Sequence, residues 1–357
     1  MTGDRVVGRP FPARPVIRLL YPTPMIRLIL LTIALLTASP ALAQTAPPLI
    51  IAHRGASGER PEHSRAAYER AIGQGADFIE PDLVMSRDGV LIVRHENGIG
   101  GTTDVAAHPE FADRRTAKTI DGVTVTGWFT EDFTLAELMT LRTRERLPDL
   151  RPANTAFDGR EPILTFEEVL DIAAAGGVGV APELKHPSYF AALSLPMEDV
   201  FVATLDRHSL TAADAPILIQ CFEVGTLQRL RARIAAPLLQ LVAASGGPVD
   251  RPDLGHASMT TPGGLADIAL YADWIGTEAS LIEPAAGAET ALIADAHAAG
   301  LKVAAWTFRA ENAFLPESDR IGDDPAAHGR LRQRLARFAG YGLDAAFVDQ
   351  PGFVIDR

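Results

Sequence analysis

Apolar residues come in short, nearly continuous runs at 49–52, 78–83, 178–184, 217–222, 237–242, 274–276, 303–306 and 345–348. Runs of that length with few polar interruptions predict strands buried on both faces. Between most of them the apolar spacing changes to the helical period, which predicts helices at 64–74, 166–175, 223–233, 264–271, 289–299 and 330–341. Strands alternating with amphipathic helices predict a parallel sheet covered by helices. Eight such units favour closure into a TIM (β/α)8 barrel over an open doubly wound sheet.

A further apolar run, 90–95, follows Leu83 too closely for a parallel crossover, which needs about a dozen residues. It predicts an antiparallel return through a turn at Asp88 and Gly89, which would bring His95 near the level of Glu80 and Asp82. Residues 97–162 then lose the alternation and are rich in Thr, Asp, Arg and Gly. They read as an insertion on the rim of the barrel, after the hairpin of the second strand. Inside it, 132–138 predicts the start of a short helix, with Thr134 as N-cap and Glu137 closing a capping box.

Active sites of such barrels lie at the C-terminal ends of the strands, so the residue ending each run is a candidate. His53 and Arg54 end the first, Glu80 and Asp82 the second, Glu183 and Lys185 the third, Gln220 and Phe222 the fourth, Trp306 the seventh and Asp349 the eighth. A spacing of two puts Glu80 and Asp82 on one face of a strand, and Glu183 and Lys185 repeat it. Three carboxylates facing one mouth repel each other unless a cation joins them, and an all-oxygen set suits Ca²⁺ or Mg²⁺ rather than zinc. Isolated, a pair such as Glu80 and Asp82 would more often be a solvated or salt-bridged pair. The barrel setting reverses that preference. His53 and His95 are candidates for an acid/base pair, with Arg54 and Lys185 as a phosphate clamp and Gln220, Phe222 and Trp306 as substrate contacts.

Charge narrows the function classes. A net charge of -12 with no Lys/Arg block excludes the basic footprint of a nucleic-acid binder. Near the N-terminus Arg27, an apolar run at 28–36 and the small-residue site Ala41-Leu42-Ala43 predict a secretory signal peptide over 1–43, with the mature domain from 44 to 357. The run is too short and too interrupted by Thr and Ser to span a membrane comfortably. Residues 1–24 are long and Pro-rich for a leader, and Met25 would make a more ordinary start. The expectation is a periplasmic or secreted protein with no membrane anchor after cleavage. Losing residues 1–43 removes five arginines and one aspartate, leaving 28 basic and 44 acidic side chains and a charge of -16. Cys221 is the single cysteine, so no intramolecular disulfide can form, and its apolar neighbours predict a buried thiol that packs as a small hydrophobe. His63 is set apart from the remaining histidines, and His186, His208, His256, His297 and His328 read as surface or packing residues. Nothing in the pattern points to an oligomeric state.

The segments 53–64 (HRGASGERPEHS), 75–96 (GADFIEPDLVMSRDGVLIVRHE), 102–106, 132–138, 182–187 (PELKHP), 220–222, 306–312 (WTFRAEN) and 348–351 (VDQP) together resemble the glycerophosphodiester phosphodiesterase family, and more closely its periplasmic, calcium-using branch. The resemblance implies a TIM barrel with a family-specific insertion, metal ligands at Glu80, Asp82 and Glu183, acid/base histidines at His53 and His95, and phosphate contacts at Arg54 and Lys185. It also implies cleavage of glycerophosphodiesters into sn-glycerol 3-phosphate and an alcohol, with a divalent metal, Ca²⁺ ahead of Mg²⁺. Two departures stand out: Glu96 where the family usually has aspartate, and Val348 where it usually has threonine. Neither is expected to touch the reaction centre. Two other readings compete. A sphingomyelinase D-like enzyme acting on intact lipids would need an exposed apolar docking surface, which 6% aromatics and the acidic charge do not suggest. A non-catalytic exported phosphodiester-binding protein would not need every catalytic position filled, as here.

Overall fold

The computed structural model describes residues 47–355, so the predicted leader and its cleavage site lie outside the described residues. Its strands in chain order are β1 (Leu49–His53), β2 (Phe78–Glu80), β3 (Asp82–Met85), β4 (Leu91–Val93), β5 (Thr116–Ile120) and β6 (Val123–Gly127). They continue as β7 (Gly179–Val180), β8 (Glu183–Leu184), β9 (Ile219–Cys221), β10 (Leu238–Val242), β11 (Trp274–Glu278), β12 (Lys302–Phe308) and β13 (Ala345–Val348). Eleven of them share one sheet in the order β4-β3-β8-β9-β10-β11-β12-β13-β1-β2-β7.

That order is a closed barrel. β2 and β3 are halves of one run broken at Pro81, and β7 and β8 are halves of another broken at Pro182. Proline has no N–H for the ladder, so each run is interrupted there. Both proline carbonyls still accept across it, Pro81 from the Glu183 N–H at 2.9 Å and Pro182 from the Gln220 N–H at 2.9 Å. With each broken run taken as one strand and the arm β4 set aside, eight strands remain, every neighbouring pair parallel. The expected TIM barrel is therefore the observed one.

The strands alternate between two apolar layers, as a period of two requires. Ile51, Leu239, Leu241, Ala304, Ala345 and Phe347 fill the barrel interior with Ala181, Leu218 and Trp274. Their neighbours Ile50, Ala52, Leu238, Val242, Val303, Ala305, Ala346 and Val348 pack outward against the helices. The expected helices form as Arg65–Gln74, Phe166–Gly176, Val224–Arg231, Pro262–Ile268, Leu292–Ala298 and Leu331–Gly340. Others join them, among them Met197–Arg207, which buries Met197, Phe201, Val202 and Leu205. No helix among the described residues is long and apolar enough to cross a membrane.

β4 returns antiparallel to β3 through Asp88 and Gly89, with Leu83 opposite Val93, as expected. The insertion contains the expected capping box, in which the Thr134 hydroxyl accepts from the Glu137 N–H and the Glu137 carboxylate accepts from the Thr134 N–H. It also contains regular strands that the sequence did not suggest: β5 and β6 pair from Thr116 with Gly127 to Ile120 with Val123. Most of their residues are exposed, so neither strand carries an apolar period. Asp121 and Gly122 link them with φ of 49° and 81°, the two positive angles of a tight hairpin turn.

Candidate active site

Apart from Arg54 and His95, each chemical residue occupies the next inward position beyond an apolar residue of the inner layer. His53 follows Ile51, Glu183 and Lys185 follow Ala181, Gln220 and Phe222 follow Leu218, Trp306 follows Ala304, and Asp349 follows Phe347. Glu80 and Asp82 follow Phe78, which packs on the same layer. The strand register then levels them: His53 lies beside Glu80, Asp82 beside Glu183, and Glu183 beside Gln220. Parallel pairing thus gathers residues from distant parts of the chain at one mouth.

Glu80, Asp82 and Glu183 are buried and offer carboxylate oxygens all within 4.8 Å of one another. Burial, and then the neighbouring Asp82 charge, pushes the Glu80 carboxyl well above its usual range. Burial lifts Glu183 to about 7 against the attraction of Lys185. Asp82 goes the other way: burial opposes ionisation, but Lys185, His95, His63 and Arg54 outweigh it and hold the carboxyl well below its usual range. Lys185 Nζ stands 3.2 Å from Asp82 Oδ1 and 2.7 Å from Glu183 Oε1. Those two buried oxygens make no well-aligned hydrogen bond. Three crowded carboxylates, two of whose buried oxygens have only the Lys185 ammonium beside them, fit a hard divalent cation, and the group could hold one.

The loop after β1 supports this cluster. Arg54 has φ 59°, which aims its N–H at Glu80 Oε2, 2.7 Å away. Its guanidinium reaches Glu62 at 3.2 Å and Asp82 at 3.5 Å. His63, set apart in the sequence, is fully buried, with Nε2 2.9 Å from Asp82 and Nδ1 2.8 Å from the Tyr68 hydroxyl. Burial lowers its pKa to about 4, so the neutral ring donates to Asp82 and accepts from Tyr68. Ser64 caps the following helix by accepting from the Ala67 N–H.

Both candidate histidines are backed by a carboxylate at Nδ1. His53 Nδ1 lies 2.6 Å from Asp349 Oδ1, and His95 Nδ1 lies 2.7 Å from Glu96 Oε1. Burial, and then Arg54, lowers His53 to about 4; burial, Arg54 and Lys185 lower His95 to about 3. Each neutral ring therefore donates from Nδ1 to its carboxylate and keeps the Nε2 lone pair for chemistry. Glu96 corrects the expectation that neither departure from the family pattern would touch the reaction centre, because the side chain folds back onto its neighbour His95.

A cavity of about 480 Å³ opens at this mouth, lined by His53, Arg54, Glu80, His95, Glu183, Lys185, Gln220, Phe222 and Trp306 among others. The expected site residues line it except Asp82, which lies behind Arg54 and Lys185, and Asp349, which lies behind His53. Phe222 and Trp306 meet edge to face at 5.9 Å and form an apolar wall. The Gln220 amide donates to the Ala181 carbonyl at 2.8 Å and reaches Glu80 at 3.4 Å, so it also steadies a candidate ligand. His186, read from the sequence as surface or packing, instead lines the cavity and bonds Asp121 of the β5–β6 turn at 2.5 Å. Arg309 also lines the cavity and reaches Asp349 Oδ2 at 3.0 Å. Sequence reasoning missed it, although it lies in the segment 306–312; the only available signal was its distance from the end of β12. Cys221 is buried and its thiol is pushed well up by burial, as expected of a packing residue.

Histidines held neutral beside cations and a carboxylate triad suit the transfer of protons around a phosphoester, which places the chain among barrel enzymes that act on phosphate diesters. Comparison with known proteins narrows the class. The model of the glycerophosphoryl diester phosphodiesterase family matches residues 53–353, and the chain belongs to that family. Glycerophosphodiester phosphodiesterase GDPD6 of Arabidopsis thaliana is 38% identical over 290 residues, covering 76% of this chain and 77% of that one. The glycerophosphodiester phosphodiesterase of Haemophilus influenzae is 26% identical over 257 residues, covering 64% and 68%. A phosphodiesterase of Oleispira antarctica, solved in complex with the product sn-glycerol-3-phosphate, shares the fold with a TM-score of 0.60 at 22% identity, over 86% of this chain and 95% of that one.

Proposed function

We propose that this enzyme hydrolyses glycerophosphodiesters to sn-glycerol 3-phosphate and an alcohol, using a divalent cation held by Glu80, Asp82 and Glu183. The observation that carries the reading is the pairing of two carboxylate-backed histidines with that triad around one cavity. The substrate class is supported by the activity named for the relatives and by the product bound to the Oleispira enzyme. None of these observations favours the intact-lipid reading.

Arg54 and Lys185 bind the phosphoryl oxygens, and Phe222 and Trp306 cover the apolar side of the substrate. One of His53 and His95 accepts the proton of the attacking hydroxyl through Nε2, while the other, which takes up a proton from solvent at Nε2 when the phosphodiester anion binds beside it, gives that proton to the departing alcohol. A bound Ca²⁺ or Mg²⁺, with Ca²⁺ favoured by the family resemblance, would neutralise the triad and stabilise negative charge on the phosphoryl group. Export to the periplasm or medium completes the reading and rests on the leader expected over 1–43.

The test is release of glycerol 3-phosphate from glycerophosphocholine by protein lacking residues 1–43, with Ca²⁺, with Mg²⁺ and with chelator. We expect metal-dependent release, lost in Glu80→Gln and reduced about 10²–10⁴-fold in His53→Ala and His95→Ala. Folded wild-type protein that releases nothing under any condition would sink the substrate assignment. Full activity in chelator would sink the metal.

A further inference from the structure

One short segment of the rim insertion reaches both histidines through their carboxylates. Arg146 grips Glu96 with contacts of 2.8 and 2.7 Å, and grips Glu62, the partner of Arg54, with two of 2.6 Å. Arg151 reaches Asp349 at 2.5 Å, Glu311 at 2.6 Å and the Ser57 carbonyl at 2.9 Å. The Arg151 N–H donates to the Leu147 carbonyl at 2.8 Å, so a single turn of chain joins the two arginines. Arg151 is buried, as are Glu62, Glu311 and Asp349.

We propose that Arg146 and Arg151 are positioning residues for catalysis, each locking the carboxylate that orients one histidine: Arg146 through Glu96 for His95, and Arg151 through Asp349 for His53. A carboxylate alone fixes an imidazole only as well as it is itself fixed. A guanidinium bonded to it removes that freedom, as outer partners do for metal-bound histidines: Arg146 forks across both Glu96 oxygens, and Arg151, anchored on Glu311, holds Asp349 Oδ2 together with Arg309. Because one turn carries both arginines, the insertion sets the two rings relative to each other across the phosphoester. This rests on the acid/base reading of His53 and His95.

Arg146→Ala and Arg151→Ala are compared with wild type on glycerophosphocholine and on the nitrophenyl ester of glycerol 3-phosphate, whose leaving group departs without a proton. We expect kcat on glycerophosphocholine to fall about 10–100-fold in each variant. KM and the Ca²⁺ titration midpoint should stay close to wild type, while the melting temperature falls in both variants because each leaves buried carboxylates short of a partner. On the nitrophenyl ester, the variant that disturbs the acid histidine should recover most of its rate and the other should not. Recovery in only one variant is an effect that general loosening of the fold cannot produce. If Arg151→Ala does not fold, Arg151→Lys carries the test, since a lysine keeps the charge but cannot fork across Asp349 and Glu311. Unchanged kcat in both variants would overturn the proposal, as would equal losses on both substrates with weakened Ca²⁺ binding. His53→Ala and His95→Ala are run alongside: if they stay active the acid/base reading itself fails, whereas inactive histidine variants beside unaffected arginine variants refute this inference alone.

Discussion

The site depends on single charges held out of water, and Asp349 is the clearest. Burial opposes its ionisation, but Arg309, Arg151 and His53 outweigh that and hold the carboxyl well below its usual range. A carboxylate depressed in this way favours the folded state at any pH above its unfolded value of about 3.9, and the advantage fades as pH falls through the folded value. In Asp349→Asn that advantage is gone and buried Arg151 loses a partner. We expect the variant to be less stable by about 3 kcal/mol or more at pH 7 in urea denaturation, with the two proteins converging below about pH 4. A difference that stayed constant on acidification would show that the carboxylate charge is not what matters. Gly55 is constrained by space rather than charge. Its φ is +81°, and a Cβ there would meet the Ala67 carbonyl carbon at 2.7 Å. Gly55→Ala should therefore cost about 2–4 kcal/mol in strain and overpacking. It should also lower kcat, because Arg54 and His53 adjoin the displaced turn; denaturation and initial rates on the same preparation check both.

At the scale of elements, what could be read from the sequence follows from burial. Strands such as β1, β10 and β13 are buried almost throughout, so their apolar runs announce them, and the residues at their ends inherit an inward direction from the period of two. That is why the pattern of the chain alone singles out His53, Glu80, Asp82, Glu183 and Lys185. The β5–β6 hairpin is held by its ladder and its turn, with little apolar burial, and left no such trace. The turn residues Asp121 and Gly122 were its only local sign. Arg146 and Arg151 were hidden for another reason. Their partners Glu62, Glu96, Glu311 and Asp349 come from four separate stretches of the chain, and nothing in the local pattern of 97–162 says which carboxylates it will meet. Glu96 was legible as a departure from the family pattern, but its contact with His95 depends on a side-chain direction at the end of β4 that periodicity does not encode.

At the scale of the whole molecule, an acidic chain concentrates buried carboxylates at the mouth of its barrel. Burial, and then repulsion from Asp82, leaves Glu80 and Glu183 with raised pKa values. A cation that binds the folded site and not the unfolded chain relieves the repulsion, and its binding energy adds to stability as RT ln(1 + [M]/Kd). At a hundred times Kd that amounts to about 2.7 kcal/mol. A domain of this length should then melt roughly 5 °C higher, since about 2–4 °C accompanies each kcal/mol at slightly smaller sizes. We expect Ca²⁺ to produce that rise in wild type, and Glu183→Gln, which keeps the side chain's size but removes its charge, to abolish most of it. Because melting needs no substrate, the result separates metal binding from catalysis: a rise unchanged in the variant would mean that the stabilising ion sits somewhere other than between these three carboxylates.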